Sequence, residues 1–228
     1  MGRPHLSKID CWSNHEGRVL EVFTFALQLL TQESNLPAQE IEINRKLYFC
    51  IHRANRVMSK ENRGLLCPPS YDSKNAPDVD DNERAKREDK RPDFSCGLYD
   101  DQELDPQRSA KFYVVECKRL GLPCGTWKLN KNYVQHGICR FVEPEWGYGK
   151  SVSSSAMVGY VQSMEFEDIL VEVNGQVRQK TLATISLSAE GWKERGVSRL
   201  EQSLTRVRIP PREFQLRHMW VDLRAKES

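Results

Sequence analysis

The chain has 228 residues, 39% hydrophobic and 29% charged, with a formal net charge of only +2, so one good-sized domain is expected and any nucleic-acid surface has to be local. No apolar run approaches the roughly 20 residues of a membrane span, and residues 1–14 lack the apolar core of a signal peptide. Seven cysteines without a C-x-x-C spacing favour neither a disulfide framework nor a zinc ribbon, and a reducing cytoplasm is the expected setting.

The run RVLEVFTFALQLL within residues 16–31 contains neither proline nor glycine and predicts a core helix. Pro37 suits the start of a second helix over 38–58, where Leu47, Tyr48, Ile51, Ala54 and Met58 recur at helical spacing. Glu40 falls on that same inward face. An acid there either compensates the helix dipole or belongs to a site. Residues 61–90 are polar, with Pro68, Pro69 and Pro77 and the charged run DVDDNERAKREDK, and predict a loop or partly ordered insertion.

Next come a short strand over 91–98, a central strand over 111–120 and a loop over 121–125. Helices are predicted over 129–142, despite Gly137, over 151–164, with Met157, Tyr160 and Val161 on one side, and over 166–177. Gly149-Lys150-Ser151 lacks the first glycine of a phosphate-binding loop, because Pro144 stands in its place. The serines that follow are read as a helix cap. Residues 182–187 are strand-like. Residues 188–208 are polar, and Arg195, Arg199, Arg206, Arg208 and Arg212 make the best local basic patch. A closing strand runs over 214–223. This order predicts an α/β sandwich, a central mixed β-sheet flanked by helices.

The chemistry concentrates in Phe112 to Leu120. Side chains alternate along a strand, so Glu116 and Lys118 share one face and Cys117 points the other way, into the core. Upstream, Asp93 follows Pro92. Two carboxylates suit a hard divalent cation, and a lysine beside them stabilises charge or orients a water. The plain alternative is an ion pair between Glu116, Lys118 and their neighbours. His52 is read as packed or on the surface, and His218 as structural.

Pro92-Asp93 followed by Val114-Val115-Glu116-Cys117-Lys118 resembles the PD-(D/E)xK nuclease superfamily. The resemblance implies a restriction-endonuclease-like sandwich, as one domain over 1–228. Its parts are N-terminal helices (16–58), a polar loop (61–90), a catalytic core (91–187), and a basic segment with the closing strand (188–228). It implies that Asp93, Glu116 and the Cys117 backbone carbonyl bind Mg²⁺, with Mn²⁺ able to substitute. Glu40 is the candidate further acid, and Lys118 positions or activates the attacking water. Arg119, Lys128, Lys131 and Arg140 are candidate phosphate contacts. The implied activity is hydrolysis of nucleic acid, with double-stranded DNA the first expectation. The implied setting is the effector subunit of an anti-phage or restriction-like complex, directed by a regulatory or ATPase/helicase-like partner and with room for a homo-oligomer. A catalytically silent nucleic-acid-binding or scaffolding subunit and a DNA-repair nuclease are the alternatives.

Overall fold

Helix α1 (Trp12–Leu30) forms because its apolar residues recur three and four apart; Val19, Val22, Phe23, Ala26, Leu27 and Leu30 are all fully buried. Helix α2 (Glu40–Ser59) buries Ile43, Leu47, Cys50, Ile51, Ala54 and Met58 in the same way, and carries Glu40 and Glu42 in its first turn, where the helix dipole favours acids. The computed structural model describes residues 12–75, 89–101 and 103–225. Residues 76–88 of the expected 61–90 loop lie outside the described residues.

Seven strands form one mixed sheet: β1 (Ser70–Tyr71), β2 (Phe94–Tyr99), β3 (Ala110–Leu120), β4 (Ser154–Val161), β5 (Ser186–Leu187), β6 (Val197–Thr205) and β7 (Glu213–Asp222), in the order β1-β2-β3-β4-β7-β6-β5. The central β3, β4 and β7 are parallel, and antiparallel pairs flank them on both sides. One face packs on α1 and α2 through Phe94, Tyr113, Val115, Cys117, Val158, Tyr160 and Met219. The other packs on α3 (Leu129–Gln135) and α4 (Phe166–Gln179) through Val114, Leu120, Met157, Leu200, Leu216 and Trp220. Alternation along β3 therefore puts Cys117 in the first core and Glu116 and Lys118 on the second face. Among the described residues no helix is long and apolar enough to cross a membrane.

Four local expectations change. The helix expected over 151–164 is the strand β4. Every residue of β4 is buried, and a strand covered on both faces reads as a continuous apolar run, with no period of two to betray it. The helix expected over 129–142 stops at Gln135. A β-carbon on Gly137 would lie 2.4 Å from both Met157 Cε and Tyr133 O, so only glycine fits where the chain leaves α3 for the 3-10 turn Ile138–Phe141. Of 182–187, only Ser186–Leu187 is strand. The polar stretch 188–208 contains β6, hidden because Ser198 and Gln202 are buried along with Leu200 and Leu204.

Arg206 also leaves the expected basic patch. It is 1% exposed, donates to the carbonyls of Tyr148, Gly149, Val152, Pro210 and Pro211, and lies 3.9 Å over the Phe214 ring. Its role is to hold two loops together.

Candidate active site

The site is built where the sheet opens. β2 pairs with β3 only as far as Phe94 opposite Val115, so the end of β3 has no strand partner on that side. Two acids take the missing strand's place. The Cys117 amide donates to Asp93 Oδ2 at 2.7 Å, and the Arg119 amide donates to Glu40 Oε2 at 3.3 Å. The Lys118 ammonium turns back over this edge and donates to the Cys117 carbonyl at 2.7 Å. It stands 2.7 Å from Glu40 Oε1, 2.9 Å from Glu116 Oε1 and 4.0 Å from Asp93 Oδ2. Glu40, Asp93, Glu116 and Lys118 thus come together from α2, the turn before β2, and β3.

Neighbours fix their orientation. Asn44, one turn along α2 from Glu40, donates to Asp93 Oδ1 at 2.9 Å and accepts from the Tyr160 hydroxyl at 2.7 Å. Arg140 donates to Glu116 Oε1, with its guanidinium 4.2 Å over the Trp146 ring and 5.9 Å from that of Tyr148. Arg140 therefore sits inside the carboxylate cluster instead of standing apart as a phosphate contact. Arg119 reaches the Ala38 carbonyl at 3.0 Å. Lys128 and Lys131 are exposed and touch none of the site carboxylates among the described residues. Asn44, Trp146, Tyr148 and Tyr160 were not among the site residues expected from the sequence. Only Asn44 left a signal there, as a polar residue in line with Leu47 and Ile51 on the buried side of a helix.

The electrostatics show a shortage of positive charge. Three carboxylates face two cations, Lys118 and Arg140. Burial and the neighbouring Glu116 push the Asp93 carboxyl, still 23% exposed, up to about 8. Burial alone would lower Lys118, but Glu116, Asp93 and Glu40 outweigh it and raise the ammonium above its ordinary value. The Glu116 side chain is fully buried. Among the described residues its Oε2 has no hydrogen-bond partner, and neither do Arg140 Nε and the Tyr148 hydroxyl. An orphaned buried carboxylate oxygen is costly. The donor set here is oxygen only, from Asp93, Glu116, Glu40 and the Cys117 carbonyl, and it fits a hard divalent cation. As folded, the acids meet at the Lys118 ammonium; among the described residues no three His, Cys, Asp or Glu side chains form a group able to hold a metal ion.

Comparison with family models, curated proteins and solved structures finds no match to this chain.

Proposed function

We propose that this cluster is the active centre of a metal-dependent nuclease with a restriction-endonuclease-like fold, hydrolysing phosphodiester bonds of nucleic acid, DNA first. One observation carries the reading: acids from three separate segments close on one lysine at an unpaired strand edge, and the buried Glu116 Oε2 is left without a partner among the described residues. Asp93, Glu116, Glu40 and the Cys117 carbonyl would hold Mg²⁺, with Mn²⁺ able to substitute. The ion, when bound, supplies a water of lowered pKa and polarises the phosphate.

The chain's own residues do the rest. Lys118 keeps a proton and offers fixed positive charge to phosphate oxygens or to the attacking water. Asn44, braced by Tyr160, holds the Asp93 carboxylate in one orientation. Arg140, stacked on Trp146, bonds Glu116 Oε1 and not Oε2. A role as effector subunit of an anti-phage or restriction-like complex, under a regulatory or ATPase/helicase-like partner, belongs to the same proposal and rests on the motif resemblance.

A second reading, a catalytically silent nucleic-acid-binding or scaffolding subunit, is favoured by one feature: Lys118 and Arg140 already share Glu116 Oε1. Cleavage of supercoiled plasmid and of linear DNA with Mg²⁺, Mn²⁺ or EDTA separates the two. The wild type is expected to nick only with metal, and Asp93→Ala and Lys118→Ala to abolish nicking. Metal-dependent cutting that persists unchanged in both variants would sink the site assignment. A folded wild type that binds DNA and never cuts it would favour the silent subunit.

A further inference from the structure

From Cys117 to Val142 the chain contains no Asp or Glu, yet it carries Lys118, Arg119, Lys128, Lys131 and Arg140. Three of these cations are engaged near the site: Lys118 and Arg140 with carboxylates, and Arg119 with the Ala38 carbonyl. Lys128 and Lys131 are exposed and have no ion-pair partner among the described residues. Between the two lysines in sequence, Asn130 donates to Glu172 of α4 at 2.7 Å.

Between the engaged and the unengaged cations lies the loop joining β3 to α3. Its backbone is pinned. The Gly121 amide donates to Asn130 Oδ1 at 2.9 Å and the Leu122 amide to Ser163 Oγ at 3.0 Å. Cys124 and Trp127 exchange both backbone hydrogen bonds at 3.0 Å, closing a hairpin turn. Gly125 at its tip takes φ 59°, a conformation glycine adopts without steric cost. On this fixed loop Trp127 is 59% exposed and Leu122 58% exposed. An exposed indole on a rigid support, beside unpaired ammonium groups, is a recognition surface in search of an occupant.

The occupant's chemistry follows from the residues. The two lysines select a polyanion, and the flat indole selects the face of a base. A base inside an intact duplex has both faces covered by its neighbours, so the base that stacks must be unpaired. The loop leaves β3 two residues after Lys118, about 7 Å along the strand.

We propose that this loop docks unpaired nucleotides, with Trp127 stacked on a base and Lys128 and Lys131 on the flanking phosphates. The inference rests on the nuclease reading and narrows its substrate to single-stranded or locally unpaired nucleic acid.

The test uses the full chain in EDTA, which stops hydrolysis. Fluorescence anisotropy reads the binding of a labelled oligothymidine and of a blunt duplex. Trp127→Ala, with an unchanged circular dichroism spectrum, is expected to weaken single-strand binding by about tenfold or more and to leave duplex binding nearly unchanged. Trp127→Phe keeps most of the affinity. Lys128→Ala with Lys131→Ala weakens both complexes and flattens their salt dependence. The inference is overturned if Trp127→Ala binds the oligonucleotide like wild type, if it loses affinity equally for duplex, or if wild type does not bind the oligonucleotide at all. It is also overturned if wild type self-associates through Trp127, which assigns the loop to a second copy. Metal-dependent cleavage by wild type together with wild-type affinity in Trp127→Ala removes the loop inference and leaves the nuclease reading standing. Absent cleavage with Trp127-dependent binding does the reverse.

Discussion

Two polar clusters lie on the face of the sheet that α3 and α4 cover, separated only by Met157, which pairs with Glu116 on one side and His218 on the other. Around His218 the groups are neutral and bond one another through Nδ1, while the buried Nε2 has no hydrogen-bond partner among the described residues. Trp220 Nε1 donates to the Tyr133 hydroxyl at 3.0 Å, and that hydroxyl stands 2.7 Å from His218 Nδ1. All three residues are fully buried, and burial pushes the imidazole down to about 3. Around Glu116 the groups are charged, and their partners come from elements far apart in sequence. Both clusters answer the same problem, polar atoms beneath a helix layer. They differ in where the sheet puts them. His218 sits on a strand paired on both sides, where only a neutral network avoids a large desolvation cost. Glu116 and Lys118 sit beside an unpaired edge, where acids enter to cap the free amides.

The largest expected effect comes from breaking the charged cluster. Lys118→Met leaves the carboxylates with only Arg140 for compensation and should lower stability by about 3 kcal/mol in EDTA. Mg²⁺ should restore part of this in chemical denaturation. Equal stability with and without metal would show that the cluster holds no cation. Next in size, Asn44→Ala removes the brace between Asp93 and Tyr160 and should cost about 2 kcal/mol. Its metal-dependent cleavage should fall while its circular dichroism spectrum stays native; unaltered cleavage would show that Asp93 needs no brace.

The smallest effect sharpens the neutral side of the comparison. The folded His218 value lies below the ordinary 6.5, so between 6.5 and about 3 the native state binds fewer protons than the unfolded chain. Its stability is therefore present above pH 6.5 and lost as pH falls, at on the order of 1 kcal/mol per pH unit. Thermal unfolding across this window should show a flatter acid limb in His218→Gln than in wild type. Identical limbs would place the acid sensitivity elsewhere.

Much of this organisation was legible before folding. The spacing of apolar residues marked α2 as a helix, because it buries one stripe against one layer, and an apolar run without proline or glycine marked α1. β3 announced itself by its apolar run, and Glu116 and Lys118 by a spacing of two. β4 was not legible, since burial on both faces erases the period that separates strand from helix. β6 was concealed by Ser198 and Gln202 on its buried positions, and Arg206 read as surface charge although carbonyl groups from two loops surround it. The partnership of Arg140 with Glu116 left no trace, because it depends on the break at Gly137.

The sequence by itself determined which residues carry charge and which face of its own element each one takes, since helical and strand periodicities are local properties of the backbone. It also marked Asp93, Glu116, Lys118 and Glu40 as candidates. Only the tertiary structure decided that β2 begins no earlier than Phe94, that the edge of β3 past Val115 stays unpaired on that side, and that α2 begins beside that edge. Those choices come from sheet register and layer packing between segments tens of residues apart. They decide whether four charged side chains are scattered on a surface or gathered round one ammonium.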